Sequence, residues 1–161
     1  RTGTSLTNSL SLTGGNGDDW LIGAKGAGSR IRTPGGASKT VQVAEALPIS
    51  EMTGAISWQF QDEPRRSRTT RNMAKFRAGI AYRCAAHEYR IIASGHVHFA
   101  CFDKLMPWDH LAGVLIHQEA GGHAARLDGS AYLPGHTDGG LLVAPDPQSW
   151  ETIRQAILSE Y

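Results

Sequence analysis

The stretch where residue type and spacing invite chemistry is Pro107-Trp108-Asp109-His110-Leu111-Ala112-Gly113, running on to Glu119-Ala120-Gly121-Gly122. It reads as one helix with both ends marked. Pro107 suits the first turn, where a missing N–H costs nothing. Asp109 lies in that turn, its carboxylate at the positive end of the helix dipole. Leu111, Ala112, Val114, Leu115 and Ile116 supply the expected buried stripe. Gly121 and Gly122 stop the helix, because glycine takes the left-handed conformation without strain. Taken alone, these features describe a core helix with an acid at its start. A second helix is expected in the stretch from Arg83 to its stop at Gly95, and free N–H groups at any helix N-terminus suit an anion.

Other clusters carry less. Among the seven histidines, His96 and His98 fall on one side of an expected strand, while His110 and His117 lie two helical turns apart. Two turns is ~10 Å, too far for one shared ion. No His-Glu-x-x-His or Cys-His zinc spacing exists. Arg65, Arg68, Arg71 and Lys75 line one face of a helix opening at Pro64. That stripe lacks interleaved aromatics, and 16 basic against 15 acidic side chains leave a net charge of only +1. A solvated face is therefore the expectation, ahead of nucleic-acid binding or the drawing-in of an anionic substrate. Gly23, Gly26 and Gly28 match neither phosphate-loop pattern.

Trp108-Asp109, two residues, Ala112-Gly113, then Glu119-Ala120-Gly121-Gly122 closely resembles the C-terminal signature of the inositol monophosphatase family. The resemblance runs from about Asp18 to Ile157 and is most specific at 107–122. It implies that Asp109 is a ligand of a catalytic magnesium ion, Mg2+. It places the turn Arg83-Cys84-Ala85 beside the substrate phosphate, although the family usually has Gly-Ser or Gly-Thr where this chain has Arg83-Cys84. An acidic residue near the end of the following strand contacts sugar hydroxyls in the family. Direct counting lands on Phe102, so Asp103, one residue on, is carried as the candidate. The family's remaining metal ligands, an upstream glutamate and an Asp-Pro-x-Asp-Gly-Thr motif, are not in this sequence, and Asp146 in Pro145-Asp146-Pro147 has the wrong context. The chain thus looks like a truncated, C-terminal part of such an enzyme.

The implied activity is magnesium-dependent hydrolysis of a phosphate monoester, with inositol monophosphate the leading substrate and this chain inactive by itself. The implied partners are small phosphorylated polyols or sugars and, for the full-length parent, a second copy in a homodimer; neither nucleic acid nor membrane is among them. Two rival readings stand beside it. One is a non-catalytic fragment or interaction domain that keeps the fold. The other is a sister phosphatase acting on fructose bisphosphate, histidinol phosphate or phosphoadenosine nucleotides.

Behind these residues stand the elements that must position them. At 161 residues, 40% hydrophobic and 19% charged, the chain can bury one ordinary core. No run approaches the roughly 18 apolar residues of a membrane span, and no signal peptide is evident. Cys84 and Cys101 are not in a Cys-x-x-Cys pattern, so free thiols in a reducing cytoplasm are expected. Residues 1–17 read as a low-complexity tail or misplaced edge segment, and 18–50 as a hairpin and linker left from the N-terminal half. The hairpin is Trp20-Leu21-Ile22 and Ser29 to Arg32 about a turn at Lys25 to Gly28, with a further short strand at Thr40 to Val43. Residues 51–161 read as an α/β domain. Its strands are expected at Ala55–Phe60, Val97–Phe102, His123–Arg126 and Gly140–Ala144, and its helices after Pro64, Ala85, Pro107 and Pro147. The last helix buries Trp150, Ile153, Ile157 and Leu158. The fold class is α/β, a layered αβα arrangement as in the C-terminal half of inositol monophosphatase-like sugar phosphatases, preceded by a β-hairpin remnant.

Overall fold

A computed structural model describes residues 9–13, by their backbone alone, and residues 19–160. The described elements run β1 (Ser9–Thr13), β2 (Trp20–Ala24), β3 (Gly28–Arg32), β4 (Ser38–Val41), β5 (Thr53–Ile56), α1 (Arg65–Asn72), β6 (Ala78–Ile80), α2 (Ala85–Ala93), β7 (Phe99–Phe102), α3 (Pro107–Glu119), β8 (His123–Arg126), β9 (Leu141–Ala144) and α4 (Pro147–Leu158). Short 3-10 turns fall at Ile49–Glu51, Trp58–Phe60 and Met73–Lys75.

The uninterrupted apolar run of β9 forces a strand that is covered on both faces, and all four of its residues are buried. Around it stands a mixed sheet in the order β6-β5-β7-β9-β8. The β6–β5 and β5–β7 pairs are parallel, while β7–β9 and β9–β8 are antiparallel. Alternation along β7 and β9 feeds two cores. Phe99, Cys101, Leu142 and Ala144 join Trp150, Ile153 and Ile157 of α4 on one face. Ala100, Phe102, Leu141 and Val143 join Tyr89 and Ile92 of α2 and Val114 of α3 on the other. At roughly 1.5–3 kcal/mol per buried large apolar side chain, these two cores are the main force holding the layers together.

A second sheet, β1-β2-β3-β4, is antiparallel throughout. It packs on the far side of α2 and α3, where Leu21 and Val41 meet Ala93, Ile116 and Ala120. The layers are therefore α1/α4, mixed sheet, α2/α3, antiparallel sheet, so the expected αβα arrangement carries a further sheet in place of a hairpin. Residues 9–13, within the segment read as a tail or edge, pair with β2 in register Ser9 to Ala24 through Thr13 to Trp20. The rest of that segment, 1–8 and 14–17, lies outside the described residues. The expected linker from Thr33 to Ser38 is a hairpin turn, closed by the Thr33 N–H donating to the Ala37 carbonyl.

Three further differences have physical causes. The strand expected at Ala55–Phe60 is shifted to Thr53–Ile56, and its aromatics sit in the following 3-10 turn. The strand expected from Val97 starts at Phe99, because the His98 ring enters the ladder: its Nδ1 accepts from the Thr53 N–H at 3.1 Å. His96 and His98 thus do not share a strand face. In α3 the buried residues are His110, Gly113, Val114, Ile116 and His117, with Leu111, Ala112 and Leu115 only half-buried. Both histidines are buried because each finds a partner inside, His110 with Tyr89 and His117 with the Ala144 carbonyl at 2.9 Å. The end of α3 is as expected, and its two glycines answer different needs. Gly121 takes φ of +94°, and a Cβ on Gly122 would lie 2.1 Å from the His117 ring.

Candidate active site

Two helices begin at one cavity. The α2 start follows from Cys84, whose extended backbone (φ −144°, ψ 101°) turns the chain into the helix. Neither it nor α3 has a side chain capping its first N–H groups, so the start of α2 at Ala85, on the cavity wall, is open to whatever enters. Pro107 opens α3, placing Asp109 in its first turn. The cavity, about 250 Å³, is lined by Arg83, Cys84, Ala85, Asp103 and Asp109, with Ser57, Phe60, Glu88, Lys104 and His110 among its other walls. All five residues singled out from the sequence therefore come together. Phe102, the residue reached by direct counting, is buried beneath the same cavity, while Asp103 reaches its wall.

Buried groups set the two loops. Glu88 is buried, and its carboxylate accepts from the Tyr82 N–H at 3.0 Å, fixing the turn that presents Arg83. Burial raises the Glu88 pKa, against the opposing effect of the Tyr82 and Arg83 amides. Arg83 itself has φ of +56°, in the left-handed region that favours glycine. Across the cavity, His110 Nε2 donates to the Lys104 carbonyl at 2.9 Å. A carbonyl only accepts, so Nε2 carries the proton and Nδ1 accepts from the Tyr89 hydroxyl at 3.1 Å. Burial lowers the His110 pKa and keeps this ring neutral. Tyr89 stacks on Phe102, ring centres 5.1 Å apart, so α2, β7 and α3 meet at one aromatic cluster under the site.

The charges divide clearly. Asp103 is held by Arg65 at 2.6 Å, so part of the basic stripe on α1 is committed to the site wall. Arg68 pairs with Glu160 at 3.1 Å, and Lys75 reaches the Ser159 hydroxyl at 2.6 Å, tying the same face to α4. Asp109 is exposed and makes no ion pair among the described residues. Arg83 and Lys104 are exposed and likewise without an ion-pair partner there. Their heads converge on the exposed Phe60 ring, at 6.0 and 5.5 Å from its centre. The arrangement can receive an anion through two cations and the open end of α2.

The glycine turn between β2 and β3 has no room for that task. The Gly26 and Gly28 N–H groups donate to the Glu119 carboxylate at 2.8 and 2.9 Å, so a side chain already fills the anion position. Those amides lower the Glu119 pKa.

A family model described as the inositol monophosphatase family matches residues 17–160. The chain belongs to the inositol monophosphatase family. Solved structures agree in fold. An inositol monophosphatase from Zymomonas mobilis superposes with a TM-score of 0.75 at 16% identity, over 86% of this chain and 53% of that one. A Ca-bound IMPase family protein from Staphylococcus aureus gives 0.77 at 12% identity, over 94% and 56%. An inositol monophosphate-bound staphylococcal IMPase-II gives 0.66 at 18% identity, over 87% and 57%. This chain thus spans a little over half the length of these relatives. No curated protein matches it.

Magnesium takes one or two carboxylates and completes its shell with water and phosphate oxygens. Asp109 fits one such position. The other cavity carboxylates do not, since Arg65 holds Asp103 and the Tyr82 amide holds the buried Glu88. Among the described residues no group of three or more His, Cys, Asp or Glu side chains is arranged to hold a metal ion. The described donors therefore fit a single ligand of a magnesium site, not a whole one. Sequence reasoning missed Phe60, Glu88 and Lys104. Glu88 alone left a signal, an acid on the otherwise apolar inner face of α2 beside Tyr89 and Ile92.

Proposed function

We propose that this chain is the phosphate-facing part of a magnesium-dependent phosphate-monoester hydrolase, with inositol monophosphate as its leading substrate. The observation that carries the reading is the joint opening of α2 and α3 on one cavity that also holds Asp109, Arg83 and Lys104. The Ala85 and Ala86 amides, the N-terminal dipole of α2 and the Arg83 guanidinium receive the phosphate, Cys84 shapes the turn, and Asp103 faces the hydroxyl groups of the polyol. Asp109 supplies one magnesium ligand; when bound, the ion activates a water and steadies the leaving oxygen. The solved relative with inositol monophosphate supports the substrate class, and the Ca-bound relative supports a divalent ion. Cys84 and Cys101 as free thiols suit a cytoplasmic setting.

Since one metal carboxylate is too few for that chemistry, the 161-residue chain binds the monoester without turning it over. Calorimetry with inositol 1-phosphate, with and without magnesium chloride, tests this beside a phosphate-release assay. Binding is expected, with magnesium tightening it in the parent and not in Asp109→Asn. Absence of binding, an equal magnesium effect in Asp109→Asn, or EDTA-sensitive turnover by the chain contradicts the proposal.

A further inference from the structure

Arg65 and Gln61 both spend their side chains on one oxygen of the cavity wall. Arg65 Nη2 reaches Asp103 Oδ1 at 2.6 Å, and the buried Gln61 donates from Nε2 to the same Oδ1 at 3.5 Å. Among the described residues nothing bonds Oδ2. Asp103 lines the cavity, so Oδ2 is the acceptor it leaves open there. The two holders come from outside the phosphate end, one from the first turn of α1 and one from the loop before it.

Stability does not account for the pair. The Arg65 side chain is 36% exposed, and an ion pair with one partner so open adds little to the fold. Charge does account for it. An unpaired carboxylate on this wall would repel an incoming phosphate. Arg65 offsets that charge and fixes one oxygen, while the other stays free to accept. The cations around it, Arg65, Arg83 and Lys104, would repel an ammonium donor. The donor that suits Oδ2 is therefore a neutral hydroxyl.

We propose that Arg65 is a positioning residue that fixes Asp103 as the acceptor for a neutral hydroxyl of the ester, so that the site prefers polyol phosphates to simple or amino-bearing monoesters. This rests on the proposed function and names what selects the polyol. Gln61 supports the same oxygen from below the wall, and α1 thereby acts on the ligand without touching it.

The test is a double-mutant cycle on the 161-residue chain. The parent, Arg65→Gln, Asp103→Ala and the double variant are each titrated by calorimetry with inositol 1-phosphate, ethyl phosphate and phosphoethanolamine. One charge-assisted hydrogen bond predicts that the parent binds inositol 1-phosphate about tenfold more tightly than ethyl phosphate, with no gain for phosphoethanolamine. Either single variant brings that preference to within about threefold. The double variant loses no more than either alone, since Arg65 acts through Asp103. Arg68→Gln removes the same charge from the same helix and leaves the preference unchanged. A preference that survives Asp103→Ala overturns the inference without recourse to any Arg65 variant. An equal gain for phosphoethanolamine, additive losses in the double variant, or a loss in Arg68→Gln as large as in Arg65→Gln also overturns it. In each of those cases the proposed function stands, because the esters still bind. If none of the three ligands binds at millimolar concentration, the proposed function falls and the inference with it.

Discussion

Acid should weaken this fold through His117. The ring is fully buried between α3 and β9, with Nε2 donating to the Ala144 carbonyl at 2.9 Å. Burial lowers its pKa from 6.5 to about 4, outweighing the backbone of Ala144 and His123, which favours the charged form. In the unfolded chain the ring titrates near its ordinary value. The unfolded state therefore binds the extra proton first, and stability falls as pH drops through the window from 6.5 toward 4. Above 6.5 this contribution is fully present. The expected loss is about 2 kcal/mol at pH 5 and about 3 kcal/mol at pH 4. Urea unfolding at a series of pH values measures it, with His117→Gln as reference because it keeps a donor for Ala144 and cannot titrate. The variant starts less stable but should lose about 2 kcal/mol less than the parent between pH 7 and pH 5. A ring-proton titration of His117 in the native protein gives the same answer independently. Equal pH slopes in parent and variant, or a native pKa near 6.5, refutes the reasoning.

Gly113→Ala should destabilise the chain although alanine is the better helix former by about 1 kcal/mol. The new Cβ would lie 2.1 Å from the Tyr89 ring, which is fully buried and bonded to His110, so a net loss of about 1–3 kcal/mol is expected in thermal unfolding. Gly35→Ala, where nothing lies within 4 Å, serves as the neutral control. Arg83→Gly relieves the left-handed backbone by about 1 kcal/mol and loses a similar amount through the freer unfolded chain, leaving stability within about 1 kcal/mol of the parent. Phosphate affinity should nonetheless drop about tenfold with the guanidinium gone, a separation that calorimetry and melting together reveal.

The parts legible in sequence were those with local causes. Pro107 and Gly121 mark the ends of α3 by their own backbone preferences. The four apolar residues of β9 declare a strand buried on both faces. Asp109 was found by its place in a motif, and Arg83, Cys84 and Ala85 by counting back from that motif along the family resemblance. What escaped depends on partners far along the chain. The burial of His110 and His117 needs Tyr89 on α2 and Ala144 on β9, so periodicity alone promoted Leu111 and Leu115 in their place. The half-buried Glu119 looks like part of a motif until Gly26 and Gly28 arrive from 93 and 91 residues away. Lys104 and Phe60 had no signal, because their meeting with Arg83 exists only after β5, β6 and β7 pair.

The proposed function depends on where a phosphate monoester meets this chain. Backbone amide shifts followed by NMR while inositol 1-phosphate is added locate that place directly. The largest changes should fall at Arg83 to His87 and at Asp103 to His110, the residues that bring the starts of α2 and α3 to one cavity. Saturable changes centred instead on the Gly26–Gly28 turn, or on the basic face of α1, would contradict it, as would no change at millimolar ligand.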